Sequence, residues 1–280
     1  MSTLTSTTST TRPTLAAGDV GKSYFETDTK KILVWDGSFF NEWNPDLTVG
    51  PGFLNNYTAA LDGTDDYLTI PASTDFDFGT GDFSFTFWMR PTSLSAVYAG
   101  LFTRSTSYRL KFQNSTSIMN LSMTGGEQAG IINHGSSLFG AWNHIMIIRN
   151  GSALTGYVNN SVSATKTLTT QSLSASGSAM KWGDNFNNFL AGQLDEISIF
   201  DRSLSSTERA DIYNSGNSFD IGSAFTGANA PLAFYRCGDD SNDTDSGGGT
   251  VDNGDTIGTI KNVVNPGTHD MTGANGATYS

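Results

Sequence analysis

One cysteine, Cys237, stands among 280 residues, so the chain can form no internal disulfide and offers no cysteine-based zinc cage. Positive charge is also scarce: 15 Lys and Arg face 27 Asp and Glu, a formal net charge of -12. Binding a phosphate backbone or an anionic bilayer would bring like charges together, which argues against nucleic acid as a partner. No apolar run is long enough to span a bilayer, so membrane insertion is not expected. The opening Met1-Ser2-Thr3-Leu4-Thr5-Ser6 lacks the basic and hydrophobic portions of a signal peptide, and synthesis in a cytoplasm is the expectation. The histidines are His134, His144 and His269, and no nucleophile elbow, phosphate loop or zinc-binding helix occurs. What the chain has instead is glycine, Ser, Thr and Asn, with only 15% charged residues. That composition suits many short strands joined by turns.

Residues 1–11 are almost wholly Ser and Thr without an apolar anchor, a flexible arm unable to fold by itself. Residues 12–49 read as a β-meander. Tyr24-Phe25-Glu26 and Lys31-Ile32-Leu33-Val34-Trp35 flank the turn Thr27-Asp28-Thr29-Lys30, and Asp36-Gly37 turns the chain into Phe39-Phe40-Asn41-Glu42-Trp43. Three short strands bury too little surface alone, so Tyr24, Phe25, Trp35, Phe40 and Trp43 need another surface to pack on. That surface is the main domain, a sister subunit or a larger particle. A Pro/Gly-rich stretch, residues 44–52, marks the boundary before the main domain at 50–230.

In the main domain, Phe83, Phe85 and Phe87 alternate with polar residues and predict one core-facing stripe, with Trp88 on the opposite face. Ile145-Met146-Ile147-Ile148 predicts a central strand covered on both sides, and the neighbouring His144 is expected to be buried and hydrogen-bonded rather than a base. Ser205 and Glu208 form a capping box for one helix that Gly216 stops. Residues 231–280 supply strands and loops that complete or extend the sandwich, with a long loop from Ser241 to Asp255 and a final strand from Ile257 to Val264.

Three segments in order carry a resemblance. They are Ala60-Leu61-Asp62-Gly63-Thr64-Asp65-Asp66-Tyr67-Leu68-Thr69-Ile70-Pro71, Phe83 to Pro91, and Gly192-Gln193-Leu194-Asp195-Glu196-Ile197-Ser198-Ile199-Phe200, with Trp142 to Arg149 and Thr155 to Asn160 between the last two. Together they resemble the concanavalin A-like jelly rolls of the laminin-G type. The resemblance implies an all-β sandwich of two antiparallel sheets that is mainly a binding scaffold. It also implies that Asp62, Asp65, Asp66 and Asp195 help hold a structural Ca2+, whose hard character suits several oxygen ligands. Glucanases of this fold place catalytic carboxylates on alternate residues of one strand, but Gln193 and Ile197 flank Asp195 and neither ionises. Asp195 and Glu196, being adjacent, should face opposite ways on a strand. No catalytic residue is assigned, and a non-enzymatic role is expected. Pro231 to Asp240 resembles the strand that opens such domains, here placed late as though permuted, or opening a second, uncompleted copy.

Residues 12 to 46 are similar to a short module of bacteriophage virion proteins, tail fibres and surface appendages, which makes Tyr24, Phe25, Trp35, Phe40 and Trp43 candidates for virion attachment. For glycan binding, Trp182, Asp184, Asn185 and Asn187 combine an aromatic face with amide and carboxylate groups in one loop. Tyr98, Arg104 and Gly125-Gly126-Glu127-Gln128 are secondary candidates. The sequence reads as a virion structural protein, made in the host cytoplasm and displayed on the virion surface. It would be a capsid-decorating or head or tail fibre protein that displays a lectin-like domain for adhesion to host cell-surface or environmental glycans. Its partners would be other virion proteins, bound through the N-terminal region, and further copies of itself. The alternatives are a free carbohydrate-binding module and, behind it, a glycoside hydrolase.

Overall fold

The computed structural model describes residues 55–280, apart from 94–97, 107, 114–117, 134–137 and 176, and four strands before them. Side chains of those four strands and of residues 93 and 127–129 lie outside the described set. The chain divides into two compact units, Met1–Phe53 and Leu54–Ser280.

In the first unit, β2 (Ser23–Glu26), β3 (Ile32–Trp35) and β4 (Phe40–Trp43) form the antiparallel meander expected from the sequence. The Ser/Thr arm departs from expectation. Its residues Thr5–Thr7 form β1, which pairs in parallel with Tyr24–Glu26 of β2. An open strand edge offers unpaired backbone groups, and β-branched threonine adopts the extended backbone they require, so no apolar anchor is needed. The attachment candidates Tyr24, Phe25, Trp35, Phe40 and Trp43 lie on β2, β3 and β4, but their side chains are outside the described residues.

The second unit is a two-sheet sandwich. Its strands run β5 (Ala59–Asp62), β6 (Tyr67–Ile70), β7 (Phe83–Ser93), β8 (Gly100–Ser105), β9 (Tyr108–Gln113), β10 (Ile118–Met123), β11 (Gly126–Asn133) and β12 (Asn143–Asn150). They continue as β13 (Ala153–Val158), β14 (Ser161–Thr167), β15 (Met180–Trp182), β16 (Ala191–Phe200), β17 (Ala233–Tyr235), β18 (Thr244–Asp245), β19 (Ile257–Ile260), β20 (Met271–Ala274) and β21 (Thr278–Tyr279). One sheet has nine strands in the order β11-β10-β9-β8-β15-β6-β20-β19-β18, and the other eight in the order β14-β13-β12-β7-β16-β5-β21, with β17 also pairing β16. All pairings within the two sheets are antiparallel.

The period-2 stripe on β7 decides where the core lies. Phe83, Phe85 and Phe87 are fully buried, and Phe85 and Phe87 meet Phe102 and Trp182 of the facing sheet at ring separations of 4.7 Å and 5.3 Å. Each such ring contributes about 1.5–3 kcal/mol by burial. Trp88 points the other way and packs against His144 and Tyr213. β12 is buried from Asn143 to Arg149, as its unbroken apolar run predicts.

The helix α1 (Ser206–Tyr213) begins with the predicted capping box, but it ends on Asn214 in the left-handed conformation, two residues before Gly216. Asparagine tolerates that conformation and so can close a helix where glycine usually does. The C-terminal quarter holds more strands than its sequence suggests. Beyond Ile257–Ile260 come β20 and β21, which join opposite sheets by pairing with β6 and β5. Their buried apolar residues are Met271 and Tyr279, with Ala277 buried in the turn between the strands, set among glycine and polar residues too sparsely to show a period. Among the described residues, no helix is long and apolar enough to cross a membrane.

Candidate functional site

The nine-stranded sheet turns two unlike faces outward and inward. On β9, Tyr108, Leu110 and Phe112 are buried in the core, so Arg109 and Lys111 project from the other side. Directly opposed residues share a face, and the register aligns Thr69, Lys181, Thr103, Arg109 and Ser122 in one row across β6, β15, β8, β9 and β10. The next position in the row is Glu127, whose side chain is outside the described set.

Aromatic rings line this row. The Arg109 guanidinium lies 5.6 Å from the Phe186 ring centroid, and Lys181 Nζ lies 4.1 Å from that of Tyr67. Beside Arg109 on the same strand, Lys111 Nζ sits 4.9 Å from Tyr98. Tyr98 and Phe186 are 42% and 49% exposed, and the other large hydrophobic of comparable exposure among the described residues is Val162. The Thr103 hydroxyl, between the two cations of the row, is buried and has no hydrogen-bond partner.

The loop carrying Phe186 is held on the sheet by its own polar residues. Asp184 Oδ1 accepts from the Asn187 backbone N–H at 2.8 Å, and Asp184 Oδ2 faces Lys181 Nζ at 3.4 Å. Asn185 donates through Nδ2 to the Tyr98 carbonyl at 2.7 Å and accepts from Arg109 Nη1 at 3.3 Å. Phe186 and Asn187 both take left-handed backbone conformations, φ 49° and 65°, which turn the chain sharply around the exposed ring. Gly100 on β8 permits this docking, because a Cβ there would collide with the backbone of Asp184 and Asn185.

These positions correct the sequence-based assignment of this loop. Trp182 is fully buried, inside the sandwich against Phe87 and Phe102, and has no face to offer a sugar. It ends β15 at an inward position, where a large ring gains most from burial. Asp184 and Asn185 are buried too, with their side chains engaged in the bonds that hold the loop on the sheet, whereas Asn187 is exposed. Arg104 is not a surface group either: it is locked to Asp77 at 2.8 Å and to the carbonyls of Ser73 and Ser178. The sequence reading passed over Phe186, Arg109, Thr103 and Lys181. The alternation Tyr108-Arg109-Leu110-Lys111-Phe112 is the signal that would have placed both β9 cations on an outer face.

The proposed metal ligands separate into two places. Carboxylate oxygens of Asp62, Asp65 and Asp66 come within 4.8 Å of one another at the turn after β5. Asp62 accepts from the Thr64 N–H at 2.7 Å, which lowers its pKa, whereas burial raises that of Asp66, which accepts from the Asp62 N–H at 3.0 Å. This oxygen-only set suits a hard cation. Asp195 is not part of it. It lies on β16 beside Asp239 and Asn55, where β5 has ended and β17 has not begun.

Asp195 and Glu196 also depart from the alternation expected of a strand. The β16–β7 register slips between Asp195 and Ser198, Glu196 takes φ 49°, and both side chains are buried. A bulge of this kind lets neighbouring residues turn toward one side. Burial pushes both carboxyls well above the usual range, with Asp239 adding to the shift of Asp195 and Asp195 to that of Glu196, while Arg236 opposes both. Neither Glu196 carboxylate oxygen has a hydrogen-bond partner. Of the flanking positions, Gln193 donates to Ser280 at 2.6 Å and Ile197 is fully buried. His144, with Nε2 2.6 Å from Thr86 Oγ1, is buried and hydrogen-bonded as expected, and desolvation drives its pKa down to about 3.

Residues 62–208 match the family model of the concanavalin A-like lectin/glucanases superfamily. Among solved structures, the chain is similar to a protein from Bacteroides ovatus assigned as carbohydrate binding, with a TM-score of 0.60, 11% identity, and coverage of 93% of this chain and 69% of that one. It is also similar to the binding domain of Paraclostridial Mosquitocidal Protein 1, with a TM-score of 0.45, 17% identity, and coverage of 57% and 47%. A third is domain 4 of a GH43 extracellular arabinanase from Geobacillus stearothermophilus in complex with arabinotriose, with a TM-score of 0.45, 15% identity, and coverage of 56% and 76%. No curated protein matches the sequence.

Proposed function

Because this chain belongs to the concanavalin A-like lectin/glucanases superfamily, we propose that it is a non-enzymatic glycan-binding protein of a phage virion. Residues 54–280 carry the lectin-like face and residues 1–53 the attachment module. The observation that carries the glycan reading is the pair of exposed rings, Tyr98 and Phe186, beside a sheet face of hydroxyls, amides and cations. Aromatic faces cover the apolar side of a sugar ring while polar groups bond its hydroxyls. The carbohydrate-binding description of the Bacteroides ovatus protein agrees with this reading.

The non-enzymatic part rests on the acids of β16. A glycosidase needs two carboxyls flanking one scissile bond, but Asp195 and Glu196 are adjacent and buried, and the residues two positions either side of Asp195 are Gln193 and Ile197. The virion part rests on the meander pattern of residues 12–46. A Ca2+ held by Asp62, Asp65 and Asp66 would be structural, fixing the turn between β5 and β6.

Two measurements on the full chain test this. On a glycan array, binding that falls when Phe186 or Tyr98 becomes alanine supports the lectin face, and an empty array refutes it. Immunogold labelling of purified particles with an antibody against residues 54–280 tests the rest. Label over the head identifies a decoration protein and label on the tail a fibre. Particles without label would overturn the virion role and leave a free carbohydrate-binding module.

A further inference from the structure

The outer row of the nine-stranded sheet has a feature that a neutral sugar does not require. In a chain of net charge -12, two cations, Lys181 and Arg109, stand in one cross-strand row with Thr103 between them. Two strand spacings separate them, roughly 10 Å, about the length of a disaccharide. Arg109 has no carboxylate within ion-pair range among the described residues. Its contacts are Ser122 Oγ at 3.4 Å, Asn185 Oδ1 at 3.3 Å and the Phe186 ring. The one described acid beside Lys181 is Asp184, at the long distance of 3.4 Å. Independently, Thr103 Oγ1 is buried between the cations without a hydrogen-bond partner. A buried hydroxyl left unpaired is costly unless a ligand or water completes it.

We propose that this face binds an anionic glycan, one bearing carboxylate or sulfate groups, with Arg109 and Lys181 each taking an anionic group and the Thr103 hydroxyl bonding the sugar between them. The proposal rests on the glycan-binding reading and deepens it. The guanidinium fork matches a carboxylate or sulfate edge, and a charge-assisted bond is roughly twice as strong as a neutral one. The exposed Phe186 ring, against which Arg109 is already ordered, closes the side of the site. Because the whole protein is acidic, long-range charge opposes an anionic polymer, and selectivity must come from this row alone.

The test is calorimetric titration of the full chain with two matched pairs: tri-galacturonate against its methyl ester, and a sulfated galactan tetrasaccharide against its desulfated form. At least one anionic member should bind about tenfold or more tightly than its neutral twin. Arg109→Gln and Lys181→Gln should each weaken that binding about tenfold with unchanged thermal unfolding, and Lys181→Arg should retain it. Should Arg109→Gln fail to fold, Lys181→Gln and Thr103→Val carry the same test. Equal binding of the twins, or variants of undiminished affinity, would overturn the anionic assignment and leave the glycan reading standing. Binding of none of the four probes by a protein that binds neutral sugars on an array has the same meaning. Silence on both removes the glycan reading as well.

Discussion

On β8, β9 and β15, neighbouring residues meet opposite environments. Phe102, Tyr108, Leu110 and Trp182 are without exposure on the inner side, while Thr103, Arg109 and Lys181 form the outer row. The inner face is held by shape: rings meet at 4.7 to 5.3 Å and any missing volume is felt at once. The outer face is held by a loop laid across it and by ring–cation contacts, with polar groups left over. The same strands therefore separate stability from recognition by alternate residues, and substitutions one position apart should have unlike consequences.

Trp182→Ala should cost the most, about 3–5 kcal/mol of unfolding free energy, read as a lower denaturant midpoint. A loss below 1 kcal/mol would mean the ring is not a core element. Gly100→Ala should cost about 1–3 kcal/mol, because the new methyl meets the backbone of Asp184 and Asn185, and it should abolish glycan binding by lifting the Phe186 loop. Retention of both properties would show that the loop does not need this close approach.

Glu196→Gln tests a polar exception inside the apolar interior. Burial holds the Asp195 and Glu196 carboxyls protonated above the range in which the unfolded chain ionises them. The folded state thus binds more protons than the unfolded one, and their contribution is full below about pH 4 and declines as pH rises toward the folded pKa values. The variant should lose less stability than the parent between pH 4 and pH 8, a difference on the order of 1 kcal/mol. Identical pH slopes for the two proteins in urea unfolding would contradict the burial account. Smallest in stability is Phe186→Ala, expected to stay within about 0.5 kcal/mol of the parent, since its ring is 49% exposed. Its effect belongs in a binding isotherm, where affinity should drop. A variant that unfolds early would assign Phe186 to structure and break the contrast between the faces.

Much of the sandwich was legible because burial imposes period 2 on strands. Phe83, Phe85 and Phe87 announced an inner face, Ile145 to Ile148 a covered strand, and Ser205 with Glu208 a helix start, each by local chemistry. The candidate site was less legible. Trp182 and Phe186 are four residues apart in one polar segment, and composition alone made the larger ring the better sugar platform. Strand register buries Trp182, and two left-handed residues leave Phe186 in solvent. Likewise, Asp62 and Asp195 come from segments joined by one strand pairing, Asp62 opposite Ala191, yet Asp195 lies four positions further along β16 and past the end of β5.

By itself, then, the sequence determined the class of fold, the core stripe, the capped helix and the meander of the first unit, because alternation, caps and turns are properties of neighbouring residues. The tertiary structure alone decided which aromatic is exposed, which acids are buried together and which cations share a row. Those outcomes depend on register between strands distant in sequence, and a shift of one residue would send every one of these side chains to the other face.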